Sequence, residues 1–330
     1  MTSSEGEHET VIDVHSHLLP PAVIDELKQH PRVFPGIEVT DLPGGAKAFR
    51  FQGLPDCPPM PASVLDVDRR VQWLDEEVID VQLCAPWTDL FGYTLDPKEA
   101  SAWSRFYNEQ LVALATTRLV PVATVPLQAP SAAVHELELA RSMGCVGVMI
   151  GTRTPAFDLD AEALDEFWEA AAALHMPVVV HPIFLEKNPR LDDYGLRNAV
   201  GRANETLIAL SRLLLAGTIL RHRGLTVLVA HGGAGLPSLL GRLHRNYEQA
   251  TDELADPIAG FRRLYFDSVV IDPRVLRDLV ALAGEDQVLM GSDYPFRWEP
   301  HPRKLIEDAD PEHAWEAAVL GRNARRLFGL

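Results

Sequence analysis

Residues 11–17 read VIDVHSH, a short β-branched apolar run that ends on two imidazoles two positions apart. The run is too short for a helix, and it reads as a buried strand delivering chemistry at its C-terminal end. Similar runs recur along the chain at 78–84 (VIDVQLC), 119–127 (LVPVATVPL), 145–150 (CVGVMI), 177–180 (PVVV), 225–230 (LTVLVA), 264–270 (LYFDSVV) and 287–291 (QVLMG), which with 11–14 gives eight candidate strands. Stretches with helical periodicity separate most of them, at 97–117, 131–143, 161–174, 203–222, 235–250, 273–283, 302–308 and 311–328. Continuous apolar strands alternating with helices predict a parallel sheet covered on both faces, and eight such units predict a (β/α)₈ TIM-type barrel. A doubly wound sheet is the other solution, but no GxGxxG or GxxxxGK[ST] follows any of the strands.

The exception to this alternation is 31–62, interrupted by Pro31, Pro35, Pro43, Pro55, Pro58, Pro59 and Pro61 and by Gly44-Gly45. It reads as an insertion after the first strand, with short antiparallel strands near 36–40 and 47–52. The chain, 1–330, is thus expected to be a single barrel domain with a cap-like insertion, preceded by a disordered tail at 1–9.

Composition narrows the function. Thirty basic against 47 acidic residues leave a net charge of −17, which repels phosphate backbones and anionic headgroups. Nucleic acid and membrane surfaces are therefore not expected as partners. No apolar run is long enough to span a bilayer, and the first ten residues lack a basic start followed by an apolar stretch. Cys57, Cys84 and Cys145 are odd in number and widely spaced, which predicts neither a disulfide framework nor a thiolate metal site. A cytoplasmic enzyme is the expectation.

Barrel chemistry sits where the strands end. The first strand ends in Asp13-Val14-His15-Ser16-His17, the fifth in His181-Pro182, the sixth in His231-Gly232-Gly233 and the eighth in Gly291-Ser292-Asp293-Tyr294-Pro295. Alternate residues of a strand project to one face, so His15 and His17 reach one point while Ser16 turns away. Imidazoles and a carboxylate converging from separate strands suit a borderline divalent cation such as Zn²⁺. His15, His17 and His181 read as ligands. His231 and Asp293 join them, with the division between ligand and proton carrier open at this point. His8, His30, His135, His175, His222, His244 and His301 fall in the tail, loops or helix faces and read as solvated.

DVHSHLLP at 13–20, VVVHP at 178–182, LVAHGGAGLP at 228–237 and GSDYPF at 291–296 together resemble the amidohydrolase superfamily, in its branch of aminocarboxymuconate-semialdehyde decarboxylase and related decarboxylases. The resemblance extends through VPLQAP at 125–130, GVMIGT at 147–152, NET at 204–206, GR at 241–242 and LGRNARRLFGL at 320–330, and so spans nearly the whole chain. It implies that His15, His17, His181 and Asp293 bind one metal ion, Zn²⁺ in the first place with Mn²⁺ as the alternative, and that His231 is the catalytic acid/base; either His231 or Asp293 is expected to deliver the proton. CVGVMIGT holds no Lys that could bridge a second metal, so a mononuclear site is expected. Arg50, in GGAKAFRF, and Arg242 match positions where the resembled enzyme holds substrate carboxylates, the second across the interface of a homodimer. One segment departs: YGLRNAVGRANET at 194–206 puts Arg197 and Asn198 where the resembled enzyme has a Trp-rich wall. Trp87, Phe184 and Phe296 are candidate apolar walls. The expected activity is non-oxidative decarboxylation of a small unsaturated or aromatic acid bearing an adjacent amino, hydroxyl or oxo group. The alternatives are a mononuclear metal hydrolase of a lactone, amide or imine, and a hydratase of an unsaturated acid.

Overall fold

The structure is a computed structural model that describes residues 9–54, 57–186, 188–296, 298 and 300–330. Residues 1–8 of the expected tail, with His8, and Pro55 of the insertion lie outside the described residues. Each expected strand forms: β1 (Ile12–His17), then after a hairpin of β2 (Ile37–Asp41) and β3 (Lys47–Phe51), β4 (Val81–Ala85), β5 (Leu119–Pro121), β6 (Val148–Gly151), β7 (Val178–His181), β8 (Val227–Val229), β9 (Leu264–Asp267) and β10 (Val288–Leu289). Apart from the antiparallel hairpin, adjacent strands pair in parallel, as β1-β4-β5 and as β10-β9-β8-β7-β6. Bridges Ala123↔Val148 and Ser16↔Tyr294, with Val14 N donating to Met290 O at 2.9 Å, join the two runs into one ring. The fold is a (β/α)₈ barrel.

The ring closes because its strands can be apolar on both faces. β6, β7 and β8 are buried at every position, one face filling the barrel and the other meeting the helices. Three helices start at Asp-Pro pairs, Asp96-Pro97, Asp256-Pro257 and Asp272-Pro273. There the Asp side chain accepts from backbone N–H groups of the first turn while Pro supplies a helical φ, a cap of about 1 kcal/mol. Three helices go unrecognised in the sequence, Pro21–Gln29, Val67–Glu76 and the short Pro257–Phe261. The second buries Arg70, a charged side chain on the face where an apolar one signals a helix.

The hairpin pairs Ile37 with Phe51 and Glu38 with Arg50. Phe49 and Phe51 face inward, and Phe51 and Phe34 both pack on Trp103. Phe51, Leu54 and Cys57 share a cavity of about 60 Å³ with Ile183, Phe184 and Leu185, so the hairpin leans on the loop that follows β7. Among the described residues no helix is long and apolar enough to cross a membrane.

Candidate metal centre

At the C-terminal end of β1 the chain must present two side chains to one side. The β1–β4 register slips between Asp13 and Ser16, yet His15 and His17 still face the barrel axis, their ring centroids 5.2 Å apart. His181 from the end of β7 lies 5.1 Å from His15 and 4.9 Å from His17. Asp293, two residues before the peptide that closes the β10 loop, completes the group. One ligand atom from each of His15, His17, His181 and Asp293 lies within 4.8 Å of all the others. Ser16 turns away, its Oγ donating to Leu83 O at 2.8 Å.

The outer nitrogens determine the inner ones. His17 Nδ1 lies 3.0 Å from Pro86 O and His181 Nδ1 2.9 Å from Pro182 O. A carbonyl oxygen only accepts, so each Nδ1 is the donor and each Nε2 turns a lone pair to the centre. His15 Nδ1 does the same against a carboxylate, Asp267 Oδ2, at 2.5 Å. The Nε2 atoms of His15 and His181 are fully buried with no hydrogen-bond partner among the described residues. Buried polar atoms are rarely left so. These orphaned lone pairs beside a buried carboxylate fit a divalent cation held by His15, His17, His181 and Asp293.

The field agrees. Burial depresses the proton affinity of His17 and, helped by the neighbouring imidazoles, drives that of His181 well below the usual value, so both are neutral and free to ligate. At His15 burial works the same way but is outweighed by the Asp267 hydrogen bond and by the charges of Asp267, Asp293 and Asp13, which raise it to about 9. An environment that draws a proton to this nitrogen pair draws a metal cation equally. Burial would also raise the Asp293 carboxyl, but the imidazoles of His17, His231 and His15 gathered around it hold it well below the usual range, as an anion.

His231, at the end of β8, stands beside this group rather than across from it. Its Nε2 is 3.6 Å from Asp293 Oδ2, and its ring is 5.0 Å from His181. His231 and Asp293 both hold positive φ, 56° and 58°, a conformation costing on the order of 1–3 kcal/mol for such residues and concentrated at functional sites. Gly232 follows at φ 58°, and a Cβ there would meet Val270 Cγ1 at 2.2 Å, so only Gly lets the His231 loop sit this low.

Asp267, at the end of β9, was not singled out by the sequence. It binds the His15 ring and also accepts from the backbone N of His231 at 3.0 Å and of Gly232 at 2.9 Å. The signal was present: a lone Asp ending the apolar strand LYFD. Beneath the site Asp13 accepts from Ser292 Oγ at 2.6 Å and Gln82 Nε2 at 2.7 Å, while Arg70 donates to Gln82 Oε1 at 2.6 Å and to the carbonyl of His17. This buried chain ties β1, β4 and the β10 loop together.

Above the site lies a cavity of about 700 Å³ whose lining includes His231, Asp293, Asn198 and Arg202. The last two come from a π-helical turn, Arg197–Arg202. Arg202 Nη1 donates to Pro182 O at 3.1 Å, the carbonyl that also orients His181. Arg197 instead lies over the Phe184 ring at 4.8 Å. Trp87 and Phe296 meet at a tilt of 49° with ring centroids 4.7 Å apart, and flank His17 at 5.7 and 6.2 Å. Arg50 stands on the outer face of β3, half exposed and ion-paired with Glu38. Arg242 is exposed on the helix Leu236–Gln249. Neither is among the residues that line the cavity.

The sequence profile described as amidohydrolase matches residues 12–330. A 2-amino-3-carboxymuconate-6-semialdehyde decarboxylase of Dictyostelium discoideum is 29% identical over 276 residues, covering 80% of this chain and 77% of its own. A gamma-resorcylate decarboxylase of Polaromonas sp. is 27% identical, covering 83% of this chain and 91% of its own. Among solved structures, 5-carboxyvanillate decarboxylase of Sphingomonas paucimobilis superposes with a TM-score of 0.81 at 22% identity, over 98% of this chain and 100% of its own. A dihydroxybenzoic acid decarboxylase of Polaromonas sp., with bound manganese and 2-nitroresorcinol, gives a TM-score of 0.78 at 23% identity over 98% of each chain.

Asp267→Asn removes the charge behind His15 while leaving all four candidate ligands. Divalent-cation affinity, read by competition with a chromophoric chelator, is expected to fall about 10- to 100-fold. Unchanged affinity in a folded variant would show that the carboxylate does not support the site.

Proposed function

The chain belongs to the amidohydrolase family, and from that premise we propose that it is a metal-dependent, non-oxidative decarboxylase of a small aromatic or unsaturated carboxylic acid with an adjacent amino, hydroxyl or oxo group. The observation that carries the reading is the group of His15, His17, His181 and Asp293 with His231 at its side, of which Asp293 and His231 line the cavity. Relatives named for decarboxylation of carboxylic acids favour it over hydrolysis or hydration. The fold agrees with that of the decarboxylases it superposes on.

His15, His17, His181 and Asp293 are the proposed ligands of one divalent cation. Three imidazoles and a carboxylate suit Zn²⁺, and the manganese of the Polaromonas neighbour makes Mn²⁺ the alternative. The ion supplies Lewis acidity toward the electronegative group beside the carboxylate. β6 reads Val148–Gly151 with no Lys, in keeping with a single ion.

The chain's own work is proton delivery. Decarboxylation breaks a carbon–carbon bond, CO₂ leaves without the electron pair, and the carbon left behind takes that pair and one proton. His231 Nε2 is the proposed donor. It is oriented by Asp293 Oδ2 at 3.6 Å and by the two backbone bonds to Asp267, and its partial exposure lets solvent reload it. The substrate acid thus consumes one proton and no water. Trp87 and Phe296 exclude solvent beside His17 and offer a ring a stacking surface.

Arg50 and Arg242 are kept as proposed carboxylate ligands. Arg50 would exchange Glu38 for substrate, and Arg242, which projects from the outside of its own barrel, would serve the pocket of the second copy in a homodimer. The chain is proposed to be one barrel domain in which 31–62 caps the mouth, supported by the cavity that Phe51, Leu54 and Cys57 share with residues 183–185. A cytoplasmic setting is supported by the three cysteines, odd in number and widely spaced along the chain.

His231→Ala is expected to keep the metal and lose turnover by about 100-fold or more, the worth of a proton-transfer group. The readout is CO₂ release across amino- and hydroxy-substituted aromatic acids. Metal loss in this variant would make His231 a ligand.

Mixing His231→Ala chains with Arg242→Ala chains is expected to restore activity, because one site of each mixed dimer carries neither defect. Verified mixed dimers without activity would place Arg242 outside the site.

A further inference from the structure

The cavity above the metal centre is chemically two-sided. One corner is polar: His231, Asp293, Asn198 and Arg202. Arg202 spends one N–H on Pro182 O and has no carboxylate partner among the described residues, so it is the cation on this wall. An apolar wall, drawn from the residues after β9, the helix Pro273–Ala283 and Trp298, comprises Val270, Ile271, Val275, Leu279, Leu282 and Trp298.

Four of these six side chains, Ile271, Val275, Leu282 and Trp298, are not explained by the core. On the helix Pro273–Ala283 the core takes Leu276, Leu279 and Val280. Val275 and Leu282 lie off that face and, with Leu279, make a second stripe at i, i+4 and i+7 that looks into the cavity. Ile271, Val275, Leu282 and Trp298 are each between 48% and 55% exposed, so four large apolar side chains meet solvent around one hollow. Isolated exposed apolar residues are ordinary, but a contiguous set marks a binding surface. Ile271 also holds φ 65°, a left-handed backbone that a β-branched side chain rarely adopts. The wall reaches the reacting groups without a break, since Gly232, next to His231, lies directly on Val270.

Resting on the decarboxylase reading above, we propose that this wall is a subsite for a bulky apolar substituent, so that the substrate is an aromatic acid carrying an alkyl chain or a second ring. Three observations set that occupant. The hollow is floored by His231 and Asp293, so a molecule seated in it reaches the reacting groups. Its volume of about 700 Å³ lies in the range of drug-sized ligands, about 300–1,000 Å³, and exceeds what a single small ring fills. Asp278 at the lip of the apolar side repels a carboxylate, whereas Arg202 attracts one, so the acid enters with its charge toward Arg202 and its apolar end toward Val275 and Leu282.

Calorimetric titration of the metal-loaded protein with 2-hydroxybenzoate and with its 4-hexyl and 5-hexyl derivatives tests this directly. Burying a methylene strengthens binding about fourfold, so at least one hexyl acid is expected to bind about 10-fold or more tightly than the parent. In the double variant Val275→Ser/Leu282→Ser, whose sites are half exposed and tolerant, that gain is expected to vanish while the parent acid binds as before. The proposal is overturned if neither hexyl acid gains, if the gain survives the double variant, or if no acid binds. It is equally overturned if sedimentation shows the variant splitting a dimer while the gain persists, because the wall is then an interface between copies. CO₂ release is scored separately: chain-length-dependent binding without CO₂ leaves the subsite standing and defeats the decarboxylase reading.

Discussion

One carboxylate holds the functional end of this barrel together. Asp267 receives the Nδ1–H of His15 through one oxygen, and through its two oxygens the backbone N–H groups of His231 and Gly232. The first bond points the His15 lone pair at the centre, and the other two hold His231 in the left-handed backbone that brings its ring beside Asp293. A proposed ligand on the first barrel strand and the proposed acid/base on the sixth are thus set by one group on the seventh. Its burial is costly for an anion, and the donors around it keep it ionised, its proton affinity below that of an ordinary carboxyl.

The rest of the centre follows the same economy. Asp13, fully buried, is drawn upward by desolvation but is satisfied by Ser292, Gln82 and the His15 amide, and Arg70 closes that chain from below. These buried polar residues hold strands that share no sequence proximity, so that four ligand atoms meet without a flexible loop among their supports. Preorganisation of this kind is what allows a metal site and a proton donor to keep their separation. The cavity then grades from these fixed charges to an apolar wall within one helix length.

Much of this was legible in the sequence. The eight barrel strands are continuous β-branched runs, which leave little room for another reading, and the ends of four carried His15, His17, His181, His231 and Asp293 in recognisable company. Edges were less legible: 119–127 reads as one strand, but the regular ladder ends at Pro121 and only the isolated bridge Ala123↔Val148 carries the pairing further. The helix Val67–Glu76 was hidden because its inward face carries Arg70. Asp267 was hidden for a different reason. Its partner His15 is 252 residues away, and nothing local distinguishes a strand-end Asp that supports a ligand from one that meets solvent. Arg202 lay within the segment recognised as unusual, yet only the π-helical turn shows that it, rather than Arg197, lines the cavity.

The central claim is that four side chains from β1, β7 and the β10 loop hold one cation while His231 stays outside its coordination. Anomalous diffraction at the metal edge, on crystals of the protein as purified, measures this directly. The expected result is one peak per chain, bonded to Nε2 of His15, His17 and His181 and to a carboxylate oxygen of Asp293. A second peak, a bond from His231 in place of one of the four, or no metal in active protein would contradict it.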